Sequence, residues 1–176
     1  TETGAAAAME SASKTVSLIV KPVASGIVAG KEPTVMSPQI IQENSPGVSE
    51  ADFSVGITEL LSAETSALLI DSAIASSQLV DSSEALWFRL KLPDGDLFLI
   101  STDGTLLPAG TVVNGEKIYD ILSTDLDSFA VRGSLYKDSS DYVSLGVQIA
   151  AFSKETNGLV SETTAFQTAS ITIAPL

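Results

Sequence analysis

The sequence contains neither cysteine nor histidine. Without cysteine there is no disulfide, thiolate nucleophile, iron–sulfur cluster or cysteine-type zinc site. Without histidine the commonest general base and transition-metal ligand are missing as well. Most catalytic templates are therefore closed, and the chain is not expected to be an enzyme. Cations are scarce too: nine Lys and Arg stand against 22 Asp and Glu, for a net charge of −13. Such a charge repels phosphate backbones and anionic lipid surfaces, so neither nucleic acid nor membrane is an expected partner. No apolar run approaches the roughly 18 to 20 residues of a membrane-spanning helix, and no basic-then-apolar leader opens the sequence, so any export signal is expected outside it. A hard divalent cation such as Ca2+, which takes carboxylate and carbonyl oxygens, is the one ligand this composition favours.

What is present is small, polar and apolar side chains in alternation. Of 176 residues, 40 are Ser or Thr, beside an apolar content of 44%, which is the composition of many short half-buried strands and not of a disordered chain. A cysteine-free, acidic, Ser/Thr-rich chain fits an extracellular bacterial surface protein better than a cytosolic enzyme. The length suits one large domain, or one domain with a fragment of another.

Local patterns predict strands at 15–20, 53–57, 86–92, 97–100, 106–113, 117–121, 129–135, 143–152 and 165–173. Gly and Asx turns punctuate them, at Asp94-Gly95, Asp103-Gly104 and Asn114-Gly115. Residues 24–38 carry two Gly and two Pro and read as an extended linker with at most one short edge strand. Leu60, Leu61, Ala67, Leu68, Ile70, Ala73 and Ile74 approximate a helical stripe, so a short helix is expected within 59–77. Short strands at about ten-residue spacing predict an all-β fold, an antiparallel β-sandwich with one short inserted helix.

The chain also repeats itself. Laying its start over its end without a gap aligns Glu2-Thr3 with Glu155-Thr156, Ala12 with Ala165, Thr15 with Thr168, Ser17 with Ser170 and Pro22 with Pro175. Leu18 with Ile171 and Val20 with Ile173 match in kind. Residues 1–23 therefore read as the closing hairpin of a preceding module or as a donor-like strand, 24–38 as linker, and 39–176 as a complete β-sandwich module.

That module carries a frame of short motifs: Gln42-Glu43-Asn44, then Val80-Asp81-Ser82-Ser83-Glu84-Ala85-Leu86, then Leu92-Pro93-Asp94-Gly95, then a last strand alternating Thr and Ala from Thr164 to Ile173. It resembles the tandem Ig-like or cadherin-like repeats of very large secreted bacterial adhesins of the RTX and biofilm-associated type, over about residues 41–176. The resemblance implies an Ig-like or cadherin-like sandwich at the cell surface, serving adhesion and biofilm formation as a spacer or ligand-presenting module. Its partners would be neighbouring modules of the same polypeptide and a host or biofilm surface ligand, and this chain alone would be a monomer. The resemblance also implies Ca2+ ligands at Glu43, Asp81 and Glu84, with Asn44 as a carbonyl donor. Two departures stand out: Ser82 and Ser83 replace an expected Asp and Gly, and Ser25 stands where the linker usually continues Pro-Val-Ala with Asp.

Read by residue type alone, Asp81 and Glu84 are spaced so that a turn aims both carboxylates at one cation, but the same pair serves equally to solvate a strand entrance. Asp94, Asp96 and Asp103 read as turn formers whose side chains bond nearby backbone. No frame for a glycosidase carboxylate pair or a serine nucleophile surrounds any candidate. Trp87, Phe88, Phe98, Phe129 and Phe152 read as strand aromatics filling a core, with a sugar-stacking platform as the sharper reading; Trp87 and Phe88, being adjacent, must point to opposite faces. Three functions stay open: an adhesin module, a pilus or fibre subunit whose strand around 14–22 completes a neighbour's sheet, and a sugar or peptide recognition domain.

Overall fold

The period-two pattern of a half-buried strand takes its fullest form in the long central strands. In the computed structural model, Leu86, Phe88, Leu90 and Leu92 are buried while Trp87, Arg89 and Lys91 between them are half-buried, as alternating Cβ directions require. The structure describes residues 14–18, 24–36, 39–43, 47, 53–62, 84–108, 110–133 and 143–175, and these are mostly β-strand.

Among the described residues nine strands follow in order: β1 (Gln39–Gln42), β2 (Ser54–Gly56), β3 (Glu84–Pro93), β4 (Leu97–Ser101), β5 (Thr111–Val113), β6 (Glu116–Leu122), β7 (Phe129–Gly133), β8 (Val143–Glu155) and β9 (Gln167–Ala174). A six-stranded sheet has the order β1-β9-β8-β3-β6-β5, and a three-stranded sheet has the order β2-β7-β4. All pairings are antiparallel except β1 with β9, which run parallel from Gln39 opposite Ile171 to Gln42 opposite Ala174. One hydrophobic cluster joins both sheets, with Leu90, Ile149 and Ile171 from the larger and Val55, Leu99 and Val131 from the smaller. The fold is therefore all-β, with two sheets over one core. Burying each such side chain contributes roughly 1.5–3 kcal/mol before conformational entropy is subtracted.

Turn chemistry places most reversals where the residues demand them. Asn114 and Gly115, at φ 52° and 78°, form the tight loop between β5 and β6, the left-handed pair that a two-residue hairpin needs. Asp94-Gly95 does something different: β3 and β4 lie in different sheets, so this turn carries the chain across the core. The strand expected over 106–113 is cut short. Only an isolated bridge from Leu106 to Ile100 and the three residues of β5 remain, because Pro108 cannot donate to a ladder.

One further expectation changes. The stretch read as a strand at 15–20 is not one over the described residues 14–18, which are exposed and without regular structure. The stretch read as a linker, described over 24–36, is held to the body: Val35 bridges Leu61, Met36 N–H donates to Leu60 O, Ser62 N–H donates to Thr34 O, and Pro33 is buried. The helix expected within 59–77 meets a single turn, α1 (Ile57–Leu60), which ends where Leu61 becomes extended and bridges Val35; residues 63–77 lie outside the described residues. A six-residue 3-10 helix, Ser123–Ser128, closes the core with Leu126.

Candidate functional site

The four residues that the resemblance groups as Ca2+ ligands divide between two ends of the larger sheet. Glu43 follows β1 and donates its N–H to Ala174 O at 2.9 Å, beside the end of β8 where Val143 pairs with Ile173. Glu84 opens β3 opposite Glu155, at the other end of β8. Since β8 has 13 residues and a strand rises about 3.4 Å per residue, the two carboxylates stand roughly 40 Å apart. Within one copy of the chain, Glu43 and Glu84 therefore cannot share an ion. Asn44 and Asp81 lie outside the described residues, and among the described residues no group of three or more Asp and Glu is gathered closely enough to hold a metal.

Glu84 has a defined task at its end of the sheet. Its Oε1 accepts a hydrogen bond from Ser25 N–H, and the next amide, Gly26 N–H, donates to Ser153 Oγ at 2.9 Å. These contacts join residues 59 and 127 positions apart. Strand alternation explains the arrangement. The inward positions of β8 run Leu145, Val147, Ile149, Ala151 and then Ser153 and Glu155, so the apolar face turns polar just beyond the reach of the smaller sheet. The backbone of 25–26 satisfies that polar end, and Ser153 is fully buried beneath it. Gly26, at φ 81°, takes the left-handed conformation that lets both consecutive amides face the sheet. Sequence reading named Glu84 but missed Ser153, because β8 was expected to stop at 152. Ser153, Lys154 and Glu155 are all polar, so residue type gave no alternating signal for the last residues of the strand.

The outward face of the same sheet is aromatic and cationic in a chain that is otherwise acidic. Trp87 and Phe152 are cross-strand neighbours, stacked with centroids 6.5 Å apart and planes at 25°. Lys154 Nζ lies 4.8 Å from the Trp87 centroid, the Arg89 guanidinium 5.0 Å from that of Phe152, and Lys91 Nζ 4.1 Å from that of Phe166. Arg89 also forms a two-pronged pair with Asp120, at 2.7 and 2.8 Å. This bond raises the Arg89 pKa above its ordinary value. Both partners are about a third exposed, so the pair contributes about 0–1 kcal/mol and acts mainly by fixing orientation. Phe88 points inward and is buried, so the expected division of Trp87 and Phe88 between the two faces is found.

Two grooves flank these features. One, of about 760 Å3, lies between 24–34 and 161–167 and is lined mostly by small residues, with Glu32, Glu162 and Gln167 among them. The other, of about 630 Å3, runs along the Tyr119–Leu122 edge of β6 beside Trp87, Pro108 and Asp125. Elsewhere the acidic turns behave as turn residues. Asp103 Oδ1 accepts from Ser101 Oγ and from Thr105 N–H, and these bonds hold its carboxyl at about 2, below the usual 3.8. Asp94 pairs with Lys117 Nζ at 3.1 Å, and Lys117 lies 3.7 Å from the Phe98 centroid. Burial raises the Tyr119 hydroxyl above its ordinary pKa. Arg132 is buried against the Phe53 ring, and its Nε has no hydrogen-bond partner among the described residues.

No family model, no curated protein and no solved structure matches the chain.

Proposed function

We propose that this chain is a non-catalytic module of a tandem array in a large extracellular bacterial adhesin, Ig-like or cadherin-like in kind, that spaces and presents a binding region. The observation that carries the reading is the placement of entry and exit. Ser25 is anchored at the Glu84 end of the sheet, and Pro175 leaves at the Glu43 end. A unit entered at one end of a 13-residue strand and left at the other stacks head to tail, advancing roughly 40 Å per copy.

Val16 and Leu18 support the same reading. They are 79% and 85% exposed, whereas their counterparts in the repeat, Ala169 and Ile171, are fully buried in β9. The segment thus has the pattern of a last strand, yet among the described residues nothing covers its apolar side chains. The repeat matches Pro22 to Pro175, so only Val23 and Ala24 separate the end of such a strand from the anchor at Ser25. A junction that short is stiff. In an array the Glu43 end of one module meets the Glu84 end of the next, an arrangement that brings Glu43 and Glu84 to a common junction. Ca2+ there would bridge modules rather than sit within one.

Deleting residues 1–18 tests the reading. If this segment belongs to a preceding module, the body keeps its melting temperature and stays monomeric by light scattering. A fall of several degrees would mean that the segment packs on its own body. Growth of the intact chain into long assemblies would favour the strand-exchanging fibre subunit. Melting with EDTA and with millimolar Ca2+, on two modules in tandem and on one, tests the ion: a stabilisation confined to the pair is expected.

A further inference from the structure

We propose that the groove along the Tyr119–Leu122 edge of β6 binds a neutral oligosaccharide, with Trp87 as its stacking platform. This does not depend on the tandem-array reading. β5 pairs with β6 only over Glu116–Ile118, so beyond Ile118 the edge has no strand partner among the described residues. The space beside it is a groove of about 630 Å3 with apolar walls from Pro108 and Phe129 and polar groups from Arg89, Asp120 and Asp125. That mixture, mostly apolar with a few convergent polar groups, is the make-up of a small-ligand site.

Three features select a sugar. The Trp87 ring is held in place before any ligand arrives: Phe152 and Lys154, both from β8, pack on it, and the groove lies on its β6 side. A fixed indole face suits the apolar C–H face of a pyranose. Asp120 and Asp125 are acceptors for hydroxyl groups, and the two-pronged bond from Arg89 sets the direction of Asp120. The charges then decide between neutral and anionic sugars. Arg89 is already matched by Asp120, Asp125 leaves the groove negative, and the whole chain carries −13, so sulfated or uronic acid chains are repelled.

Trp87 is the only tryptophan of the chain, so its emission reports on this groove alone. The experiment titrates the intact chain with maltohexaose, cellohexaose, laminarihexaose and N-acetylchitohexaose, and in parallel with dextran sulfate and an alternating Thr-Val peptide. A saturable emission change is expected with at least one neutral sugar, at a dissociation constant on the order of 10 μM to 1 mM. Asp125→Ala, at an exposed position of the 3-10 helix, is expected to weaken binding by about tenfold or more with the melting temperature unchanged. Trp87→Ala, followed by calorimetry, should abolish it. The proposal is overturned if no neutral sugar gives a saturable response up to about 10 mM, if binding survives both substitutions unchanged, or if only the peptide or dextran sulfate binds.

Discussion

Replacing Glu84 by Ala removes the acceptor of Ser25 N–H. A hydrogen bond to a charged group contributes about 1.5–3 kcal/mol. Against this, Glu84 stands directly opposite Glu155 in the ladder, and relieving like charges at facing positions returns up to about 1 kcal/mol. The net cost of Glu84→Ala is therefore about 1–2 kcal/mol, and it should fall first on residues 24–28, which are held to the sheet by this bond, by Gly26 N–H to Ser153 and by an isolated bridge at Ile27. Hydrogen exchange read residue by residue is the suitable assay. Exchange at Ser25 and Gly26 should quicken by about tenfold, since 1.4 kcal/mol is a factor of ten, while Leu90 and Ile149 in the central strands are unaffected locally. Glu84→Gln keeps a neutral acceptor and should fall between. Ser153→Ala removes the acceptor of Gly26 N–H, and the two losses should be non-additive because the amides are adjacent. Unchanged protection at both amides in Glu84→Ala would refute the view that this carboxylate anchors the entering chain.

Other outcomes follow from the same contacts. Leu90→Ala, at a fully buried position between β8 and β6, should cost about 3 kcal/mol in urea unfolding; a loss under about 1 kcal/mol would mean the two sheets do not close over it. Arg132→Met removes a buried cation whose Nε has no partner among the described residues, and should leave the melting temperature unchanged or raise it. A drop of several degrees would point instead to a paired guanidinium. The Asp103 carboxyl is held at about 2, below its usual 3.8, so the contribution of this turn to stability is complete above about 3.8 and is lost as pH falls through about 2. Ser101→Ala should return the Asp103 titration, followed by carboxyl NMR, toward the usual value. Should it titrate as before, the Ser101 hydroxyl is not the main cause.

The local pattern of the chain was legible without coordinates. Alternation in 86–92 set Trp87 and Phe88 on opposite faces, and the Asn114-Gly115 doublet marked a tight hairpin, because period-two side-chain direction and left-handed φ are properties of neighbouring residues. The shortening of 106–113 at Pro108 was legible too, though the apolar run around it obscured the break. Sequence alone also limited the chemistry, since a chain without His and Cys offers carboxylates, hydroxyls and a few aromatics.

Which strands meet was decided by tertiary structure. Periodicity says which face of a strand is buried and nothing about its neighbour. The parallel pairing of β1 with β9 and the junctions of Ser25 with Glu84 and Gly26 with Ser153 join distant parts of the sequence, and the Asp94-Gly95 turn passes from one sheet to the other only because the strands on either side of it find their partners elsewhere. The candidate ligands show the consequence most plainly. Glu43 and Glu84 look alike as acidic residues beside strands, yet a 13-residue strand running between their positions sets them at opposite ends. No local signal encodes that separation, because it is fixed by the register of strands packed over a shared core.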